Sequence, residues 1–144
     1  ETILTPHDGV DGVGFVVQHE GSRLGILTDL GHRFDELDAV ISSLDAVLLE
    51  SNYDPEMLDH GPYPEFLKAR IRGSGGHISN REAAELLRDA GRGIRWACLA
   101  HLSEDNNSPQ VAMRTHEQIL DQAGGQQIKI HVASRYDAID PLEV

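Results

Sequence analysis

The sequence is short of three things, and each shortage narrows what the protein can be. It has one cysteine, Cys98, set inside the apolar run Trp96 to Ala100. A lone thiol forms no internal disulfide, so the fold must rest on its core and a reducing cytoplasm is the expected compartment. Basic residues are scarce: 12 Lys and Arg stand against 24 Asp and Glu, for a formal net charge of -12. A protein that grips nucleic acid over a long surface usually shows a basic face, and the only basic cluster is Lys68, Arg70 and Arg72. Long apolar runs are missing as well. The longest are of strand length, which excludes a membrane-spanning helix. The opening residues ETILTPHDG contain neither the basic nor the apolar region of a signal peptide.

What is present is the balance of a soluble domain: 144 residues, 40% apolar and 25% charged, which suits one domain with a modest core. The chain opens on Glu1 directly at a predicted strand, as a processed chain or a fragment would. Val13 to His19 alternates loosely, Glu20-Gly21-Ser22 turns, and Arg23 to Thr28 runs apolar, which predicts a β-hairpin. Phe34, Leu37, Val40, Ile41 and Leu44 recur at helical spacing. Ala46 to Leu49 reads as a strand buried on both faces. Residues 55 to 71 read as a loop broken by Pro and Gly, then a short helix. Ser79 and Glu82 form a capping box for a helix to about Ala90, ended by Gly91 and Gly93. Ile94 to Ala100 is a second buried strand. Ser108 and Pro109 start a further helix whose inner face is Val111, Ala112, Thr115, Ile119, Leu120 and Ala123, stopped by Gly124-Gly125. Ile128, Ile130 and Val132 alternate with Lys129 and His131 as an amphipathic edge strand. Strands alternating with helices on both sides of a mixed sheet make the expected class α/β.

Three polar residues share one structural position. His7 follows the apolar Ile3-Leu4, Asp29 follows Gly25-Ile26-Leu27, and His101 follows Ala97 to Ala100. Each lies where a predicted strand gives way to a loop, and layered α/β folds bind ligands outside the carboxyl ends of their strands. Two imidazoles and a carboxylate suit zinc, manganese or iron better than calcium. A bridging carboxylate could hold two ions about 4 Å apart for an in-line phosphoryl displacement. Spacing leaves other readings open: each histidine could be a structural hydrogen-bonder, and Asp29 could turn the chain before Gly31.

Five stretches occur in a fixed order: TDLG (Thr28 to Gly31), LESNYD (Leu49 to Asp54), GPYPEFLKARIRG (Gly61 to Gly73), GHISN (Gly76 to Asn80) and LAHLSEDNN (Leu99 to Asn107). Together they resemble the metallo-β-lactamase-fold hydrolases, most closely the YycJ-type (WalJ) exonuclease group, from about His7 to about Leu120. The resemblance implies the αββα sandwich of that fold, of which this chain supplies roughly the second half. It implies that His7 and His101 are metal ligands and that Asp29 bridges two divalent ions, zinc or manganese. Glu50 and His77 resemble a carboxylate–histidine pair of related tRNA-processing nucleases, where the histidine meets the phosphate or leaving group and the glutamate orients it. His77 also lies two residues before the predicted N-cap, where free N–H groups could face a phosphate and an imidazolium could protonate a leaving alkoxide. A solvent-exposed loop histidine is the competing reading. Lys68, Arg70, Ser79 and Asn80 are the expected substrate-binding residues, although a solvated helix face accounts for the cations nearly as well.

The group's main metal-binding signature, HxHxDH, belongs to the first half of the fold. The chain has eight histidines, and no two are separated by a single residue. Tyr53 stands where close relatives tend to have histidine. The expectation is therefore part of a phosphodiester hydrolase, a nuclease using a dinuclear metal-activated hydroxide, inactive as this chain alone. Its partners would be a nucleic acid or other phosphodiester and no membrane, with self-association through the sheet face that half a sandwich leaves uncovered. The alternatives are a truncated, non-catalytic interaction module and a same-fold hydrolase of a small molecule.

Overall fold

The structure, a computed structural model, describes residues 1–122 and 127–144. The expected inner-face position Ala123 and the Gly124-Gly125 stop lie outside the described residues. Six strands form one sheet in the order β1 to β6: β1 (Thr2–Leu4), β2 (Val13–His19), β3 (Ser22–Leu27), β4 (Ala46–Glu50), β5 (Trp96–Ala100) and β6 (Lys129–Val132). β1, β2 and β3 pair antiparallel; β3 to β6 pair parallel. Two reversals restore direction, so β1 runs the same way as β3, β4, β5 and β6. The carboxyl ends of five strands therefore share one edge.

Period-two alternation sorts the side chains. Ile3, Val16, Leu27, Val47, Leu49 and Ala97 face the core, together with α1 (Asp35–Ser42), which supplies Leu37, Val40 and Ile41, and α4 (Asn80–Ala90), which supplies Ala83, Leu86 and Leu87. Burial of that many Leu, Ile and Val side chains, at about 1.5–3 kcal/mol each, is what holds the layer down. The opposite face is half bare. Leu4, Val13, Phe15 and Val17 are exposed there, and Ile26 and Leu48 are only half-buried. Near β5 the same face is closed by the C-terminal segment: the Trp96 indole donates to the Glu143 carbonyl at 2.7 Å, and Cys98 is buried.

Two segments depart from expectation. Residues 55–60, expected as loop, form α2 (Pro55–His60), because Asp54 accepts from the Met57 N–H at 3.0 Å and Pro55 takes the first helical position, where its missing N–H has no helical partner to lose. Gly61, Pro62 and Pro64 then separate it from α3 (Glu65–Arg72). In α5 (Pro109–Asp121) the cap is as expected, with Ser108 accepting from Val111. Its buried stripe, however, is Ala112, His116 and Leu120; Val111, Thr115 and Ile119 flank it, half-buried. Among the described residues no helix is long and apolar enough to cross a membrane.

Candidate metal centre

His7, Asp29, Glu50 and His101 come from the carboxyl ends of β1, β3, β4 and β5, and His77 comes from the loop before α4. The structure brings all five together. His7 Nε2 lies 3.6 Å from Asp29 Oδ1, and His101 Nε2 lies 3.8 Å from the same oxygen. The His7 and His77 ring centroids are 4.9 Å apart, and those of His77 and His101 are 5.2 Å apart.

Each imidazole is oriented by its other nitrogen. His7 Nδ1–H donates to the Gly76 carbonyl at 2.9 Å. His77 and His101 Nδ1–H both donate to Glu50 Oε1, at 2.7 and 2.9 Å. All three rings therefore turn Nε2 toward the shared space. Holding the far nitrogen is how proteins set the tautomer and aim of a ligating histidine. Glu50 is fully buried and accepts a third bond, from the Leu30 N–H at 2.6 Å. Burial pushes its carboxyl up, but the hydrogen bonds from His101, His77 and Leu30 outweigh that and hold it below the usual range. The same hydrogen bond to Glu50 raises His101 above the ordinary imidazole value.

The backbone is bent to make this possible. Asp29 and His101 adopt φ of +56° and +57°, the left-handed region that non-glycine residues enter at a cost of about 1–3 kcal/mol. Such residues persist where the surroundings over-determine them. For His101 the surroundings are Asn52, whose Nδ2 donates to the His101 carbonyl at 2.8 Å, and Asn107, whose Nδ2 donates to the Ser51 and Asn52 carbonyls. For Asp29 they include Gly31, whose N–H donates to the Pro6 carbonyl at 2.8 Å. A Cβ at Gly31 would lie 2.0 Å from the Pro6 oxygen and 2.2 Å from that of Ser74; only glycine lets the His7, Asp29 and Ser74 loops close this tightly. Asp29's carboxylate receives one hydrogen bond among the described residues, a long one from Thr28 at 3.4 Å, and no turn-forming bond toward Gly31.

The expected substrate-binding residues do not gather with this group as a set. Lys68 is buried and donates to the Asp59 carbonyl, and Arg72 pairs with the Asp59 carboxylate, so both point to α2. Arg70, on the other side of α3, donates to Asp8 Oδ2 at 2.5 Å, and Asp8 Oδ1 lies 3.8 Å from His7 Nε2. The Ser79 hydroxyl is part of a complete capping box with Glu82. Asn80 is fully buried between Ser51 and Asn107. The N–H groups expected to face a phosphate are also engaged within the fold: Ser79 donates to Glu82, Asn80 to the Tyr53 carbonyl, and Glu82 to Ser79. Tyr53 itself is buried, and burial pushes its hydroxyl up to about 12. Reading the sequence also passed over Asp8, Asn52 and Asn107. The adjacency of Asp8 to His7 was a usable signal; nothing local marks the two asparagines.

His7, Asp29 and His77 each present a ligand atom within 4.8 Å of the others, as do Glu50, His77 and His101. A borderline-soft divalent cation fits such a nitrogen-rich set. Glu50 Oε1 already accepts from two rings, whereas Asp29 Oδ1 has the His7 and His101 Nε2 atoms beside it at 3.6 and 3.8 Å. Beside His77 and His101 opens a cleft of about 1030 Å³.

No protein-family model matches the chain. It is 33% identical over 135 residues to the exodeoxyribonuclease YycJ of Bacillus anthracis, covering 91% of this chain and 51% of that protein. It is 33% identical over 124 residues to the exodeoxyribonuclease WalJ of Streptococcus pneumoniae serotype 2 strain D39, covering 85% and 46%. The chain is similar to the YycJ and WalJ exodeoxyribonucleases over most of its length. It spans about half the length of these relatives. Zn(2+)-bound PqqB from Methylobacterium extorquens shares the fold, with a TM-score of 0.57 at 18% identity over 96% of this chain and 44% of that one. The resemblance read from TDLG, LESN, GHISN and LAHLSEDNN and the metallo-β-lactamase-like α/β class are both borne out. The left-handed Asp29 and His101 fall within two of those stretches, TDLG and LAHLSEDNN, and Glu50 and His77 within two others.

Proposed function

We propose that this chain is the second half of a metal-dependent phosphodiester hydrolase acting on DNA ends, and that a preceding half carrying HxHxDH completes the centre. The observation that supports it most is the convergence of the His7 and His101 Nε2 atoms on Asp29 Oδ1, at 3.6 and 3.8 Å, with the Nδ1 of each of the three imidazoles already engaged. Neither distance is that of a hydrogen bond, which suits a carboxylate and two imidazoles set to share a cation. Divalent cations, zinc or manganese, would be held by His7, Asp29 and His101, and would supply Lewis-acid polarisation of the phosphodiester and acidify a water. The chain's own residues do the rest. Asp29 offers one oxygen to both the His7 and His101 sides. Glu50 holds His77 in place through Nδ1, and His77 delivers a proton from its other ring nitrogen to the departing alkoxide. Arg70, steadied by Asp8, lies where it can meet a flanking phosphate. The bare apolar strip of Leu4, Val13, Phe15 and Val17 supports the half-sandwich reading. The same strip would let two copies of the isolated chain associate.

The test is a zinc and manganese titration of the isolated chain by calorimetry. One weakly held equivalent is expected, weakened at least tenfold by Asp29→Asn while the melting temperature stays within a few degrees. Two tightly held equivalents, or an unaffected Asp29→Asn, would refute the half-site reading. In the complete protein, His77→Ala should cut turnover while leaving metal content intact; loss of the metal with it would make His77 a ligand.

A further inference from the structure

The cleft beside His77 and His101 is not used by the mechanism above. Its floor is apolar, from Leu67, Ile71 and Val132, and its rim carries Tyr63 and Tyr136. Both rings are fixed by their hydroxyls: Tyr63 donates to Asp105 Oδ2 at 2.8 Å and Tyr136 to Glu104 Oε1 at 3.1 Å. Tyr136 is 79% exposed, although its hydroxyl is tied. Of the lining residues, Arg135 is the one Lys or Arg, and it donates to the Leu102 carbonyl.

Charge and shape decide what enters. Two carboxylates on the rim repel a phosphate, and they accept hydrogen bonds from the exocyclic amines of bases. Aromatic faces held in place by hydrogen bonds suit stacking, which is the sequence-tolerant way proteins hold unpaired bases. A base in a duplex is stacked above and below and offers only its groove edges, so an unpaired one is required. The volume matches the upper end of small-molecule sites, roughly 300–1,000 Å³. The cleft abuts the two histidines, so a group lodged in it lies next to where the proposed phosphodiester would sit.

We propose that this cleft receives the base of an unpaired nucleotide at a strand end, while its sugar and phosphate stay on the histidine side. This rests on the phosphodiester reading and narrows it to single-stranded ends.

The experiment is nuclear magnetic resonance titration of this chain with deoxyadenosine, 2-deoxyribose 5-phosphate and, separately, zinc. Deoxyadenosine should shift the signals of Tyr63, Tyr136 and residues 102 to 105 saturably, and 2-deoxyribose 5-phosphate should leave them in place. Tyr136→Ala should weaken deoxyadenosine about tenfold, and Tyr136→Phe, which keeps the ring but loses its tie to Glu104, should weaken it less. Rim signals that move equally with the sugar phosphate, or not at all with the nucleoside, overturn the proposal. Zinc reads the other claim through the His7, His77 and His101 rings. Zinc shifts without nucleoside shifts sink the cleft alone, and the converse sinks the metal reading alone.

Discussion

Two histidine environments in this molecule show how position reverses the chemistry of one residue type. His101, at the end of β5, has Glu50 against its Nδ1 and is raised above the ordinary imidazole value. His116, in the middle of α5, is fully buried. Its Nδ1–H donates to the Ala112 carbonyl at 2.9 Å, its Nε2 has no partner among the described residues, and burial pushes it down to about 4. The first histidine is held ready to carry charge; the second is kept neutral. The lesson is that the partner of the second ring nitrogen, rather than burial alone, separates a working histidine from a packing one.

The most damaging way to break this contrast is to remove the shared carboxylate. Glu50→Ala should destabilise the chain by about 3–5 kcal/mol, the range for removing one partner of a buried charged group, read by chemical denaturation. Glu50→Gln should keep more of the stability yet lower the His101 titration toward an ordinary value. An unchanged His101 would show that Glu50 does not set it.

A pH series sharpens the comparison from the other side. His116 has a depressed folded value, so between about 4 and the unfolded value near 6.5 the unfolded chain binds more protons. Its contribution is therefore present above about pH 6.5 and lost as pH falls toward 4, by about 3 kcal/mol in total. His101 has the opposite sign: its contribution is present below the unfolded value and lost as pH rises through its raised folded value. Replacing His116 with Leu should flatten the acid limb of stability against pH and leave the His101 titration untouched. A limb that survives the replacement would assign the acid sensitivity to other groups.

Gly31→Ala ranks next. The added Cβ meets two backbone carbonyls, which cannot swing aside as a side chain would. A loss of about 2–3 kcal/mol is expected, with weaker zinc binding because the His7 and Asp29 loops are forced apart. Stability lost with zinc affinity intact would show that the loop closure serves the fold alone.

How much of this was legible beforehand differs between the fold and the site. The strand and helix pattern was plain because period and caps are local. Val13 to His19 forms β2 as expected, and Ser79–Glu82 and Ser108–Pro109 open helices where expected. The helix at 55–60 was not, since Pro55 and the nearby Gly61 read as breakers unless Asp54 is credited as the cap. The gathering of His7, Asp29 and His101 followed from strand ends and parallel pairing. The commitments of Lys68 and Asn80 did not, because a side chain's use depends on partners distant in sequence, such as Asp59, Ser51 and Asn107. His116 was equally opaque: a histidine between apolar positions looks the same in sequence whether its stripe faces solvent or core.

The gentlest perturbation probes the same dependence on distant partners. Asn52 touches none of the candidate ligand atoms; it donates to the carbonyl of His101 and helps keep that residue left-handed. Asn52→Ala removes one hydrogen bond, about 1 kcal/mol of stability, but frees His101 to relax out of its strained φ and swing Nε2 away from Asp29. Zinc affinity should fall about tenfold, as when the outer partners of ligating residues are lost, with the His7 ring signals unmoved. If affinity falls no more than stability does, the strain at His101 is incidental. A fall confined to the metal would mean that the bent backbone exists to aim the imidazole.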